Sequence, residues 1–188
     1  MSDYILASQS PRRKQLLQWA EIDFEVLVKN TDETYPEGLS PKDVAVYIAK
    51  QKAVAVANSI QDNRIIIAAD TIVVLENEII GKPRDRSEAI RILERLSGRH
   101  HKVITGVVLM SEQKDHSFAD VTDVEFYELS PNQIHFYVDK YKPYDKAGAY
   151  AIQEWIGVVG IKGIKGDFYN VMGLPVSKVI KALYEFNL

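Results

Sequence analysis

The sequence predicts a mixed α/β fold, and three observations carry that prediction. Apolar runs of strand character alternate with segments of helical spacing, three of the helical segments open on a Ser-Pro pair, and two long strand-like runs flank one short polar tip. The first strand is expected over Tyr4 to Ala7, followed by a helix that Ser10 caps, Pro11 begins and Lys14 to Trp19 continue. A short strand around Phe24 to Val28 comes next. Ser40-Pro41 opens a long helix to about Ser59, with Val44, Ile48, Ala49, Ala53 and Val56 on one apolar stripe and Asp43 standing in for Glu in a capping box. Ile65 to Ala69, interrupted by Asp70-Thr71 and resumed at Ile72 to Leu75, reads as a buried strand. Glu76-Asn77-Glu78 turns the chain into Ile79-Ile80, Gly81-Lys82-Pro83 breaks the pattern, and a helix from Ser87 to Leu96 stops at Ser97-Gly98. Lys102 to Met110 and Ala119 to Leu129 are expected as an antiparallel pair around the polar tip Ser111 to His116. Ser130-Pro131 starts a helix to about Val138, a Tyr- and Lys-rich loop follows, and Pro175 to Phe186 makes an amphipathic helix. Between them, Gly157 to Gly166 is expected as a flexible basic loop whose Lys162 and Lys165 close over an anion.

Composition narrows the function. With 188 residues, 46% of them hydrophobic, the chain can bury a core as one domain or as two small lobes around a cleft. A net charge of -3 gives no global attraction to nucleic acid or anionic membrane, so phosphate binding has to come from local clusters of Arg and Lys. The lack of cysteine excludes a disulfide framework, zinc thiolates and a Cys nucleophile, and agrees with a cytoplasmic setting. No apolar run has the length of a signal h-region or a membrane span, so a soluble protein without membrane contact is expected. There is no Gly-x-x-x-x-Gly-Lys-Ser/Thr run, which argues against a P-loop enzyme. His100, His101, His116 and His135 lack metal-ligand spacing and are expected in loops or on the surface, while Trp19 and Trp155 are expected to pack.

Chemistry gathers at a few positions. Ser10-Pro11-Arg12-Arg13 puts two guanidiniums beside the unpaired N–H groups and positive dipole end of a helix, where an anion fits. Asp70 ends an apolar run, and a buried carboxylate there calls for a lysine, a backbone cap or a metal ion. Lys52 lies on the apolar side of its helix, four residues from both Ile48 and Val56, either reaching into a cleft or snorkelling at the stripe's edge. Lys82 is held in a turn between a glycine and a proline, and Glu33 lies in an acidic loop; alone, each reads equally as a solvated surface charge. Together, Arg12, Arg13, Lys52 and Lys82 with Glu33 and Asp70 make a set suited to a metal-bound nucleotide: cations for phosphate oxygens, carboxylates for a hard metal ion.

Six blocks resemble, in order and over nearly the whole chain, the Maf family of nucleoside triphosphate pyrophosphatases. They are Ser8-Gln9-Ser10-Pro11-Arg12-Arg13, Ala68-Ala69-Asp70-Thr71-Ile72-Val73, Gly81-Lys82-Pro83, Ser97-Gly98-Arg99-His100 with Thr105-Gly106-Val107, Asp145 to Gln153, and Gly166 to Pro175. The resemblance implies hydrolysis of a nucleoside triphosphate between its α and β phosphates, with a divalent metal such as magnesium, manganese or cobalt. Carried over by position, it makes Asp70 the proton acceptor, places the metal on Glu33 and Asp70, and sets Ser8, Arg12, Arg13, Lys52 and Lys82 on the phosphates. The positions resembling the family's specificity set, Arg13, Thr71 and Gln153, look like the branch acting on dTTP and UTP, another branch preferring 7-methyl-GTP. A Gln side chain offers the donor and acceptor that the edge of uracil or thymine complements. The family fold implied is a single domain over 1–188: an elongated mixed β-sheet flanked by helices, two lobes around a cleft, similar to inosine triphosphatases and often homodimeric.

A second reading is a nucleic-acid- or protein-binding regulator of septum formation. It draws on Tyr137, Tyr141 and Tyr144 interleaved with Lys140, Lys142 and Lys146. Such a binder has no need of Glu33 and Asp70 among its cations, because carboxylates repel phosphate unless a metal lies between them.

Overall fold

A computed structural model describes residues 2–186. In chain order its elements are β1 (Tyr4–Leu6), α1 (Pro11–Trp19), β2 (Phe24–Val26), α2 (Pro41–Ala57), β3 (Ile65–Leu75), β4 (Glu78–Ile80), α3 (Arg86–Leu96), β5 (His100–Met110), β6 (Asp115–Phe126), α4 (Pro131–Tyr141), α5 (Trp155–Gly160), β7 (Ile161–Lys165), α6 (Phe168–Met172) and α7 (Val176–Phe186). The strands make a mixed seven-stranded sheet in the order β2-β1-β3-β5-β6-β7, with β4 also paired to β3. β1 is parallel to β2 and β3, whereas β4 and β7 are antiparallel to their partners β3 and β6. This is the mixed α/β sheet flanked by helices that the sequence predicts.

The described chain divides into two compact units. One holds the residues up to Thr71, Thr105–Asp120 and those from Gly173 onward; the other holds Ile72–Ile104 and Val121–Met172. In the first unit Ile5, Ala7, Ile66, Ala68, Val108 and Met110 share a core with the small residues of α2, Ala49, Ala53 and Val56. α2 comes down to the backbone of β5 at Gly106, where an added Cβ would lie 2.3 Å from the carbonyl carbon of Ala45. Ser10 caps α1 and Ser40 caps α2, each hydroxyl accepting from the backbone N–H three residues on. In the second unit Glu76 and Asn77 adopt φ of 51° and 70°, the conformation of a tight two-residue hairpin turn, and lead into β4. α4 opens on a full capping box between Ser130 and Gln133, and α3 packs against it.

Several expectations are corrected. The polar tip is shorter than expected: Ser111 N–H donates to the Lys114 carbonyl (2.9 Å), so β6 starts at Asp115 and takes His116 into the strand. The far end of β6 is Phe126, not Leu129. α4 continues past Val138 to Tyr141 and ends at Lys142, whose φ is 45°. Gly157 to Gly166 is not a loop: it holds the end of α5 and the whole of β7, and β7 pairs with β6 in the register Asp123↔Lys165 and Val124↔Ile164, with Lys162 Nζ 2.7 Å from Glu125. Pairing with a neighbouring strand overrides the low strand propensity of its glycine. Of the histidines, His100, His116 and His135 are exposed as expected, on β5, β6 and α4, whereas His101 departs from the expectation as a buried member of β5. Trp19, expected to pack, is 59% exposed, whereas Trp155 sets its ring 4.8 Å from that of Phe136.

Candidate functional site

Lys52 and Asp70 define the centre of the first unit's polar cluster. α2 carries Lys52 on the side of its apolar stripe, and β3 delivers Asp70 from a fully buried run. Lys52 Nζ donates to Asp70 Oδ1 at 2.6 Å and reaches Glu33 Oε1 at 2.9 Å. Asp70 is 7% exposed, so an unpartnered charge there would cost several kcal/mol. The lysine supplies the partner, and the half-open Glu33 shares it.

The neighbouring residue of β3, Thr71, belongs to a second cluster built on Arg13. This guanidinium, in the first turn of α1, is buried and uses three donors on the protein itself: Nη1 to Ser8 Oγ (3.1 Å), Nη2 to Thr71 Oγ1 (2.9 Å) and Nε to the Gly173 carbonyl (2.7 Å). Thr71 Oγ1 is also 2.9 Å from Thr105 Oγ1. Gly173 has φ of 123°, a conformation that favours glycine and that aims its carbonyl at Arg13. Burial lowers the pKa of Arg13 from its usual value, the charge of Asp70 opposes that fall, Arg12 adds to it, and Glu33 opposes it. The guanidinium stays protonated throughout the physiological range.

The structure therefore brings Ser8, Arg13, Glu33, Lys52, Asp70 and Thr71 into two adjoining clusters of one unit, with Arg12 half-exposed on the same turn as Arg13. Arg13, expected on the phosphates, has a different first task, since it holds Ser8 and Thr71 in place. Lys82 and Gln153 belong to the second unit, both exposed, Lys82 just after Gly81 and Gln153 on a turn before α5. Around that turn lie Tyr137, Lys146 and Glu154: the Tyr137 hydroxyl donates to Glu154 and accepts from the Ala151 N–H (3.2 Å), and Lys146 Nζ is 3.6 Å from Glu154 and 2.8 Å from Asp145. Tyr137 and Lys146 are buried, so the interleaved aromatic and basic surface expected of a nucleic-acid binder does not form from them.

Among the described residues, no group of three or more His, Cys, Asp or Glu side chains converges to hold a metal ion. Two carboxylates converging on one ammonium, with no nitrogen or sulfur ligand, fit a hard cation that draws its other ligands from phosphate oxygens and water. Sequence reasoning gave no site role to Thr105 or the Gly173 carbonyl, and read Tyr137 as part of a binding surface. The burial of Tyr137 was findable, because Ile134, Tyr137, Val138 and Tyr141 follow helical spacing and mark Tyr137 as a core position.

A protein-family profile described as Maf-like protein matches residues 3–186. A protein of Cytophaga hutchinsonii named dTTP/UTP pyrophosphatase is 52% identical over 97% of this chain and 83% of its own length. One of Parabacteroides distasonis with the same name is 47% identical over 97% of this chain and 95% of its own. Among solved structures, the Ham1 protein of Staphylococcus aureus covers 65% of this chain and 71% of its own at 15% identity, with a TM-score of 0.48. Fold and polar clusters define an α/β protein that holds a lysine between two carboxylates beside a buried arginine clamp. The chain belongs to the Maf family.

Proposed function

We propose that this protein is a nucleoside triphosphate pyrophosphatase that hydrolyses dTTP and UTP to the monophosphate and pyrophosphate. The observation that carries the reading is Lys52 Nζ held between Asp70 and Glu33, and the names of relatives 47% and 52% identical support it. In this scheme the Asp70 carboxylate, oriented by Lys52, takes a proton from the attacking water. The water oxygen bonds to the α-phosphorus as the bond to the bridging oxygen breaks, and the electron pair leaves with pyrophosphate. Arg12, Lys52 and Lys82 offset the charge on the phosphate oxygens, and Ser8, fixed by Arg13, adds a hydroxyl donor. Glu33 and Asp70 would hold a divalent ion, magnesium, manganese or cobalt, which supplies charge neutralisation to the triphosphate.

Gln153 reads the base, while Thr71 and Arg13 complete the specificity set. The Cys-free composition supports a cytoplasmic setting, and a homodimer is proposed on the family resemblance alone. No helix among the described residues is long and apolar enough to cross a membrane. The test is pyrophosphate release from dTTP, UTP, CTP, GTP and 7-methyl-GTP with each metal and after chelation, beside Asp70→Asn. Turnover of dTTP and UTP above the others, lost on chelation and reduced about 10³-fold in Asp70→Asn, is expected. Hydrolysis of none of the five with any metal would overturn the proposal.

A further inference from the structure

The turn that carries Gln153 has both of its ends tied to one atom. Glu154 N–H closes the turn on the Ala151 carbonyl (3.1 Å). Before it, the Ala151 N–H donates to the Tyr137 hydroxyl (3.2 Å); after it, the Glu154 carboxylate accepts from the same hydroxyl. The phenol is itself immobile, because Tyr137 is fully buried on α4 and its ring stacks on Tyr141 with centroids 4.9 Å apart at 23°. On the far side, the Glu154 carbonyl accepts from Gly157 N–H (2.9 Å) and so joins the turn to the start of α5. Lys146 Nζ lies 3.6 Å from the Glu154 carboxylate, on its other oxygen. Gln153 is thus an exposed side chain on a turn whose end residues, Ala151 and Glu154, are both anchored to a rigid ring. A glutamine that distinguishes bases needs its backbone fixed, because the position of Cα and Cβ sets which edge of a base the amide can reach.

We infer that Tyr137 is a positioning residue for base selection, its hydroxyl setting where the Gln153 amide stands by bonding Ala151 and Glu154 together. The inference rests on the reading of Gln153 as the residue that faces the base. Removing the hydroxyl leaves the ring and its packing in place but releases both ends of the turn. Discrimination among bases then suffers, and hydrolysis itself does not.

The experiment compares kcat and KM for dTTP and CTP in the whole protein and in Tyr137→Phe, Glu154→Ala, Glu154→Gln and Gln153→Ala, with thermal unfolding as a check on folding. Tyr137→Phe is expected to lower the ratio of kcat/KM for dTTP over CTP by about five- to tenfold, through the KM for dTTP, with kcat within about twofold of the original. Glu154→Ala should follow it, whereas Glu154→Gln, which retains an acceptor for the phenol, should keep most of the ratio. An unchanged ratio in Tyr137→Phe and Glu154→Ala, where Gln153→Ala has lowered it, overturns the inference. So does an equal fall in kcat on both nucleotides. If Gln153→Ala leaves the ratio intact, the reading of Gln153 fails first and takes the inference with it. Should Tyr137→Phe not fold, the two Glu154 variants decide.

Discussion

The Asp70 cluster of the first unit and the His101 cluster of the second both place a polar side chain under apolar cover, and they do so by opposite means. Asp70 is held by charge: Lys52 donates to it, and Glu33 shares the ammonium. His101 is held by neutrality. It is 3% exposed, its Nε2 is 2.7 Å from the Tyr150 hydroxyl, and the rings of Phe126 and Tyr150 meet it edge-on at 5.1 and 5.5 Å. Burial, with a smaller push from His100, lowers the His101 pKa to about 4, and burial drives the Tyr150 phenol upward. Paired charges make the first region suited to chemistry on an anion and intolerant of losing one partner. The second region is scaffold, and its weakness is acid.

Breaking the charged cluster is the strongest way to sharpen that contrast. Lys52→Met leaves Asp70 buried beside Glu33 with its counter-charge gone; a loss of about 3 kcal/mol in unfolding free energy is expected, with dTTP turnover down about 10²-fold or more. Urea unfolding and steady-state kinetics measure both, and a variant as stable as the original would remove the argument from charge. For the neutral cluster the variable is pH. The unfolded chain takes up a proton on His101 as pH falls through 6.5, whereas the folded chain does so only near 4. Stability from this group is therefore complete above pH 6.5 and drains away between 6.5 and 4, by about 3 kcal/mol in all. Denaturation curves for the protein and His101→Gln over that range should diverge in slope; parallel curves would mean that His101 is not the acid-sensitive group. The smallest effect is expected from Arg13→Lys, which keeps a charge but cannot hold Ser8, Thr71 and Gly173 at once. About 1–2 kcal/mol of stability should be lost, and a Tm unchanged from the original would show that the fork contributes nothing.

How much of this was legible in the sequence depended on whether the signal was local. Ser10, Ser40 and Ser130 announce their helices because a cap and its proline are adjacent in the chain. Lys52 and Asp70 could be expected to matter because one lies on an apolar stripe and the other ends an apolar run, although the sequence left open whether the partner of Asp70 was a lysine, a cap or a metal. The burial of Arg13 was not legible, since its three acceptors come from positions 5, 58 and 160 residues away. Nor was β7: its single inner glycine suggests a loop until β6 supplies a partner strand. Neighbouring lysines hid the apolar stripe of α4 and made Tyr137 look like surface.

The Arg13 clamp also bears on the order in which the protein can be completed during synthesis. The chain passes between its units after Thr71, before Thr105, after Asp120 and before Gly173, and the bonds around Arg13 gather three of those four points. Arg13 and its Gly173 acceptor are translated 160 residues apart. A chain cut after Met172 retains β6, β7 and the Tyr137 turn, but it leaves the guanidinium short of one ligand. The Tyr137 turn is thus complete within residues 137–154, whereas the clamp that fixes Ser8 and Thr71 waits for Gly173.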